Sequence, residues 1–446
     1  MKKQREFSHT LMMLLACILP LFILFVLTIS GVQIGGIFFL LFFVTCCVAM
    51  FYFMGGAPIK DEEPEEEEVG KDETSAYMTL AFKAKDVFQA RRQYREDENL
   101  VIEGRLLVNP ETAFASIKQR FEGTDVTPLL QENEAGRPTL VLVPGALRRA
   151  EEETHSNWLN LLLLGLTIIT MTVAGAAHQG VNLWTEPGKF AVGLPYALAL
   201  LLILGVHELG HYFAARVHNI KVTLPYFIPV PFALGTFGAF IQMKSLSENR
   251  RALFDVGVAG PLAGLVVAIP ALFYGLKQSS IVLASGAQDL VHGGAGVGSS
   301  FLFALIAKLA MGEAVTEGHQ IVLTPMAFAG WLGLLVTALN LLPIGQLDGG
   351  HIAHALFGRR NAHTIGMVAL FSLFLLGLFV WSGLLFWAII VFFVAGTKSA
   401  PPLNDVTKLD KRRVAIGAFA FVLLFLILTP VPHAFYQALG IHCPYI

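Results

Sequence analysis

Read for the alternation of apolar and polar positions, the chain is dominated by long, uninterrupted apolar runs. Runs able to cross ~30 Å of hydrocarbon lie near residues 10–30, 32–54, 157–177, 190–215, 253–276, 325–343 and 413–431. A further run, 364–397, is too long for one crossing, and Ser382 and Gly383 near its centre predict two short helices turning back. The pattern predicts about nine crossings. The 300–311 run is short and contains Lys308, which predicts an interfacial helix.

One sizeable polar region interrupts this pattern. It opens with "KDEEPEEEEVGKDE" (60–73), a like-charge run expected to stay extended as a linker. After it, "NLVIEGRLLV" alternates as a strand. "NPETAFASIKQRFEG" reads as a capped helix with Asn109 at N-cap, Pro110 at N1, an apolar face of Phe114, Ile117 and Phe121, and Gly123 as the stop. "DVTPLLQE" and "RPTLVLVP" follow as strands joined by a turn. The expected fold class is an all-α polytopic membrane protein with a small α+β module. Its segments are an N-terminal transmembrane hairpin (1–55), an acidic linker and connecting segment (56–97), the soluble module (98–150) and a membrane-embedded domain (151–446).

Composition sharpens this reading. The chain of 446 residues is 55% hydrophobic and 14% charged, against about 25% charged in soluble proteins. A net charge of −2 gives no basic footprint for nucleic acid. Cys17, Cys46, Cys47 and Cys443 include no CxxC pair and are expected to serve packing. The basic N-terminus precedes a long apolar run with no A-x-A-like site, so an uncleaved anchor is expected. Lys2, Lys3 and Arg5 place the N-terminus in the cytoplasm; Lys221, Lys244, Arg250, Arg251, Arg359, Arg360, Lys408, Lys411 and Arg412 then fall on the same side. Arg250 and Arg251 read as topology markers.

Against this background "HELGH" stands out, because it puts His207, Glu208 and His211 in an apolar helix. A carboxylate at membrane depth costs ~2.5–3.5 kcal/mol even on lenient scales, so the cluster asks for a function. Residues i and i+4 share a helix face. His207 and His211 can therefore present two imidazoles to one zinc ion, with Glu208 beside them as general base on a zinc-bound water.

Two histidines leave a catalytic zinc short of a ligand, since three protein ligands are usual. The second misplaced polar group is in "NLLPIGQLDGG" (340–350). Pro343 ends a helix, Gly345, Gly349 and Gly350 free the backbone, and Asp348 is expected to return toward the bundle on an irregular segment. Asn340 is placed to orient a substrate or stabilise charge on an attacked carbonyl.

An HExxH helix followed by N-x-x-P-x-x-x-L-D-G resembles the paired signature of the site-2 protease family, zinc-dependent intramembrane proteases that cut membrane-anchored substrates. Both motifs are complete: His207-Glu208-Leu-Gly-His211 and Asn340-Leu-Leu-Pro343-Ile-Gly-Gln-Leu347-Asp348-Gly349. The resemblance implies His207, His211 and Asp348 as ligands of one zinc ion per chain and Glu208 as the base. It extends more weakly through "GTFGAFIQM" (235–243), "GVAGPLAG" (257–264) and "PPLNDVTKLD" (401–410). The module's place in the chain resembles the cyanobacterial and plastid branch, the ethylene-dependent gravitropism-deficient and yellow-green type. No PDZ or CBS domain is recognisable, and the resemblance covers most of 98–410. It implies a multi-pass protein of a bacterial plasma or thylakoid-like membrane, an active site toward the cytoplasm and membrane-anchored protein substrates. It leaves the oligomeric state open.

"TLPYFIPVPFALGTFGAFIQM" (223–243) carries three prolines and is expected as a membrane-dipping loop or hairpin, either covering the site or offering a strand edge to substrate. The small residues of 257–270 are expected to serve close helix packing. His351 and His354 read as interfacial and His218 as solvent-facing. The alternative reading, a membrane metal transporter using the same His/Asp cluster, requires polar groups lining a path on both sides, and the opposite-side helix halves carry almost none.

Overall fold

A computed structural model describes residues 85–96, 99–124, 126–133, 136–144, 157–231, 234–283, 300–312, 319–379, 382–396 and 401–429. The N-terminal hairpin and the acidic run lie outside these. The chain divides into two compact units. One comprises 67–343, 347–362 and 400–446 and contains the module and His207, Glu208, His211, Asn340 and Asp348; the other comprises 1–66, 344–346 and 363–399.

The module is a four-stranded antiparallel sheet with one helix. Its strands are β1 (Phe88–Glu96), β2 (Asn99–Leu106), β3 (Val126–Glu132) and β4 (Pro138–Pro144), in the order β1-β2-β4-β3. The helix α1 (Pro110–Phe121) starts as expected: Asn109 Oδ1 accepts from the Glu111 N–H at 2.8 Å. Its Phe114, Ile117 and Phe121 bury against Leu130, Leu140 and Leu142 of the sheet. Ile117 is fully buried. Ile117→Ala is expected to cost about 2–5 kcal/mol, read in the full chain as faster amide exchange across the β3–β4 pair. A carboxylate–guanidinium pair, Asp86 with Arg120, closes the helix against the chain entering β1. That hydrogen bond holds the Asp86 carboxyl below its ordinary range. Strand β1, "FQARRQYRE", is not visible in the apolar pattern because it is a sheet edge, largely exposed on both faces.

The helices of the same unit are α2 (Asn157–His178), α3 (Leu194–Val217), α4 (Arg250–Lys277), α5 (Phe301–Met311), α6 (Pro325–Leu341), α7 (Asp348–Phe357) and α10 (Lys411–Leu428). The predicted break in 364–397 falls between α8 (Arg359–Phe379) and α9 (Ser382–Val394). Among the described residues four helices are long and apolar enough to cross a membrane: α2, α3, α4 and α8. The chain is a multi-pass membrane protein. The α5 helix, too short to count among these spans, packs on the bundle: Phe303, Ile306 and Ala307 bury in a cluster with α4, α6 and α10.

The proline-rich 223–243 segment forms a hairpin, β5 (Tyr226–Pro229) with β6 (Thr236–Phe240). Its prolines exclude a helix, and α2 supplies partners for its free backbone groups. Asn160 Nδ2 donates to the Leu224 and Pro225 carbonyls at 2.9 and 3.0 Å, and Thr170 Oγ1 donates to the Gly235 carbonyl at 2.6 Å. From α3, the Tyr196 hydroxyl donates to the Leu234 carbonyl at 2.9 Å. A polar residue in a membrane helix satisfies backbone that has no water to bond.

Candidate metal centre

The α3 helix is buried on the face that carries Leu200, Leu204, His207, Glu208 and His211. One turn separates the two histidines, so their rings project side by side, with Nε2 atoms 3.1 Å apart. Asp348 closes a triangle: its Oδ2 lies 3.3 Å from His207 Nε2 and 3.2 Å from His211 Nε2. A tetrahedral ion with bonds of ~2.0–2.1 Å spaces its ligand atoms by about 3.3–3.4 Å. The donor set therefore fits zinc in both kind and spacing. Among the described residues one His/Cys/Asp/Glu group is this close, with ligand atoms within 4.8 Å of one another, and it is His207, His211 and Asp348.

The partners of the rings explain their orientation. His211 Nδ1 lies 2.7 Å from the Val256 carbonyl oxygen on α4. A carbonyl can only accept, so Nδ1 carries the proton and the Nε2 lone pair faces the triangle. Asn340, in the last turn of α6, brings its Nδ2 to 3.3 Å from His207 Nε2. Glu208 is buried beside the group but outside it, and one turn away on the same helix Leu204 packs in a cluster with Phe227 of β5 and Ala239 of β6. The helix that carries the base candidate and the hairpin thus pack together.

Asp348 reaches the site differently from the expectation. The irregular segment is brief, and Asp348 is itself the first residue of α7. The helix start favours a negative charge there. Gly349 permits this approach: a Cβ on it would strike the Leu341 carbonyl and lie 2.5 Å from the Leu342 oxygen.

Sequence reasoning missed the α4 glycines as parts of the site. A Cβ on Gly260 would overlap the His211 ring, lying against Nε2 and Cε1 and 2.5 Å from Cδ2; one on Gly264 would sit 3.2 Å from His207 Nδ1. Both histidines rest on a floor without side chains. The spacing Gly260–Gly264, one turn like His207–His211, was the available signal.

Other readings need correction. His354 is not interfacial: it is 1% exposed and bonds Asp405. His351 packs against α4 at Gly257. His218, at the end of α3, pairs with Asp255 at 2.9 Å. Arg250 is buried and Arg251 pairs with Glu111 of the module, so neither is only a topology marker.

Two histidines one turn apart and an aspartate opening another helix, inside an apolar bundle, form a group that could hold a metal ion. Residues 195–379 match the model of Peptidase family M50, and the matched stretch holds both motifs. Its relatives are of the branch that the motifs suggested. The chain is 31% identical over 358 residues to "Probable zinc metalloprotease EGY2, chloroplastic" of Arabidopsis thaliana, covering 78% of this chain and 63% of that protein. It is 35% identical over 325 residues to "Probable zinc metalloprotease EGY1, chloroplastic" of Oryza sativa subsp. japonica, covering 67% and 55%. It is 32% identical over 247 residues to the "Probable zinc metalloprotease EGY3, chloroplastic" of the same plant, covering 53% and 42%. The chain spans less than two thirds of the length of these relatives. No solved structure matches it.

Proposed function

We propose that the chain is a zinc-dependent intramembrane endopeptidase acting on membrane-anchored proteins. The observation that carries this is the His207–His211–Asp348 triangle at tetrahedral spacing with the buried Glu208 carboxylate beside it. Zinc, when bound, supplies a Lewis acid that lowers the pKa of water toward ~7 and polarises a carbonyl. Glu208 takes the proton of the attacking water and returns it to the leaving amine. The Asn340 amide, at the rim of the triangle, donates to the oxygen of the attacked carbonyl as charge develops on it.

A substrate helix hides its scissile bond among its own hydrogen bonds. The β5–β6 hairpin supports an answer: it is a two-stranded sheet whose outer edges can pair with an unwound peptide. Its packing on the helix that carries Glu208, through Leu204, Phe227 and Ala239, favours an added strand near the base. The charge bias of the loops favours a site nearer the cytoplasmic face.

Removing the metal tests the reading. In bilayers, the purified chain is expected to cut a single-span substrate, to lose at least ~100-fold of the rate in a zinc chelator, and to regain it with added Zn²⁺. Cleavage that persists at the original rate in the metal-free protein would overturn the proposal.

A further inference from the structure

The segment "PPLNDVTKLD" takes no part in the chemistry above, yet much of it is buried. Asn404, Asp405 and Thr407 are all buried polar residues. Val406 completes the apolar core of the module, joining Phe114, Leu130 and Leu142, with Leu403 packed against them. The backbone of 403–405 extends the module sheet at its free edge. Leu130 N–H donates to the Leu403 carbonyl at 2.7 Å and Asp405 N–H to the Leu130 carbonyl at 2.8 Å. On its other side the segment pairs with the chain entering α4: Leu403 N–H donates to the Ser247 carbonyl and Asn404 N–H to the Glu248 carbonyl, each at 2.9 Å.

This framework fixes Asp405, whose carboxylate faces two helices of the site. Arg250, the first residue of α4, donates Nε–H to Oδ1 at 2.8 Å. His354, on α7, places Nε2 3.0 Å from both oxygens. The side chains of Arg250, His354 and Asp405 are 7%, 1% and 2% exposed. Glu132 at the end of β3 adds a second module contact, 3.7 Å from Arg250.

The register of both helices then matters. Val256, whose carbonyl holds His211 Nδ1, lies six residues beyond Arg250; His354 lies six residues beyond Asp348. On each helix the clipped residue is about 9 Å along the axis from the one that serves the triangle. One carboxylate therefore sets the spacing between the helix that orients His211 and the helix that bears Asp348.

We propose that Asp405 is a positioning residue for the metal centre, clipping α4 to α7, and that the seating of the α+β module on residues 403–406 governs how tightly the centre holds its ion. The proposal rests on the assignment of the triangle as the metal site. Partners outside the ligand shell commonly change metal affinity by 10–100-fold, and a clip that moves two ligand-bearing helices is expected to fall in that range.

The test uses the full chain in nanodiscs, stripped of metal and titrated with Co²⁺ as a spectroscopic probe. Asp405→Asn is expected to weaken Co²⁺ binding at least tenfold and to alter the visible d–d bands, with kcat lowered and KM for substrate unchanged. His354→Gln, which keeps the Arg250–Asp405 pair, is expected to do the same to a smaller extent, and it decides the matter if Asp405→Asn does not fold. Val406→Asp, which unseats the module without touching either helix, is expected to expose the module to protease and to weaken Co²⁺ binding in parallel. Wild-type affinity and spectrum in the folded Asp405 or His354 variant would overturn the clip. A loosened module with an unchanged centre would overturn the coupling. If the wild type bound Co²⁺ and the variants weakened it while neither the zinc-loaded wild type nor any variant cleaved a substrate, the clip would stand and the proteolytic reading would fall.

Discussion

Glu208→Gln is expected to abolish cleavage while leaving the metal in place. The carboxamide keeps the shape of the side chain but cannot take a proton from water. General acid–base groups contribute about 10²–10⁴ in rate. A base that serves both the attack and the departure of the amine should lie at the upper end, a loss of about 4–5.5 kcal/mol of transition-state stabilisation at 1.36 kcal/mol per decade. Bound zinc, measured on the purified variant, should stay at one per chain because Glu208 lies outside the ligand triangle. Stability should move the other way. A buried carboxylate is costly to keep away from water, and the neutral amide removes that cost, so the thermal midpoint is expected to rise. Loss of zinc on substitution would mean that Glu208 is a ligand and that the roles assigned here are wrong.

Gly260→Ala is expected to do nearly as much damage by the opposite route, by evicting the metal. The added methyl would occupy the volume of the His211 ring. The ring cannot retreat easily: its Nδ1 is tied to the Val256 carbonyl on the same helix as the glycine, and the His207 ring stands 4.9 Å away centroid to centroid. Either the ring swings out of the triangle or α3 and α4 part, and both remove a ligand from tetrahedral reach. Zinc affinity should fall at least ~100-fold, since one of three protein ligands is lost. Gly264→Ala is the internal control: its methyl would meet His207 Nδ1 at 3.2 Å, a contact relieved by a few tenths of an ångström, so a smaller loss is expected. Equal zinc affinity in the wild type and Gly260→Ala would refute the shared-floor description.

These two substitutions also mark how far the sequence was legible. His207, Glu208, His211 and Asp348 could be singled out because a titratable group in an apolar helix is costly, and cost implies purpose. The glycines carried no such signal, since small residues are common wherever membrane helices pack. Nor did Arg250, Asp405 and His354, because a charged residue beside a helix end usually meets water. Only the fold reveals that 155 residues of sequence separate Arg250 from a carboxylate 2.8 Å away. In the module, α1 and β2 to β4 were readable from cap, period and turn residues, whereas β1 was not, because an exposed edge strand has no apolar face to advertise.

The contribution of Val406 and Leu403 to the module core has a consequence for biosynthesis. The strands and helix of the module leave the ribosome well before the residues that finish their interior and cover the open edge of β3. Until the chain past α9 has been made, that edge offers unpaired backbone groups and a gap where Val406 belongs, the kind of surface that chaperones hold and proteases find. Maturation of the soluble part therefore waits on insertion of the membrane part. A chain stopped before residue 403 should be recognised and degraded as unfinished even though every residue of the module itself is present.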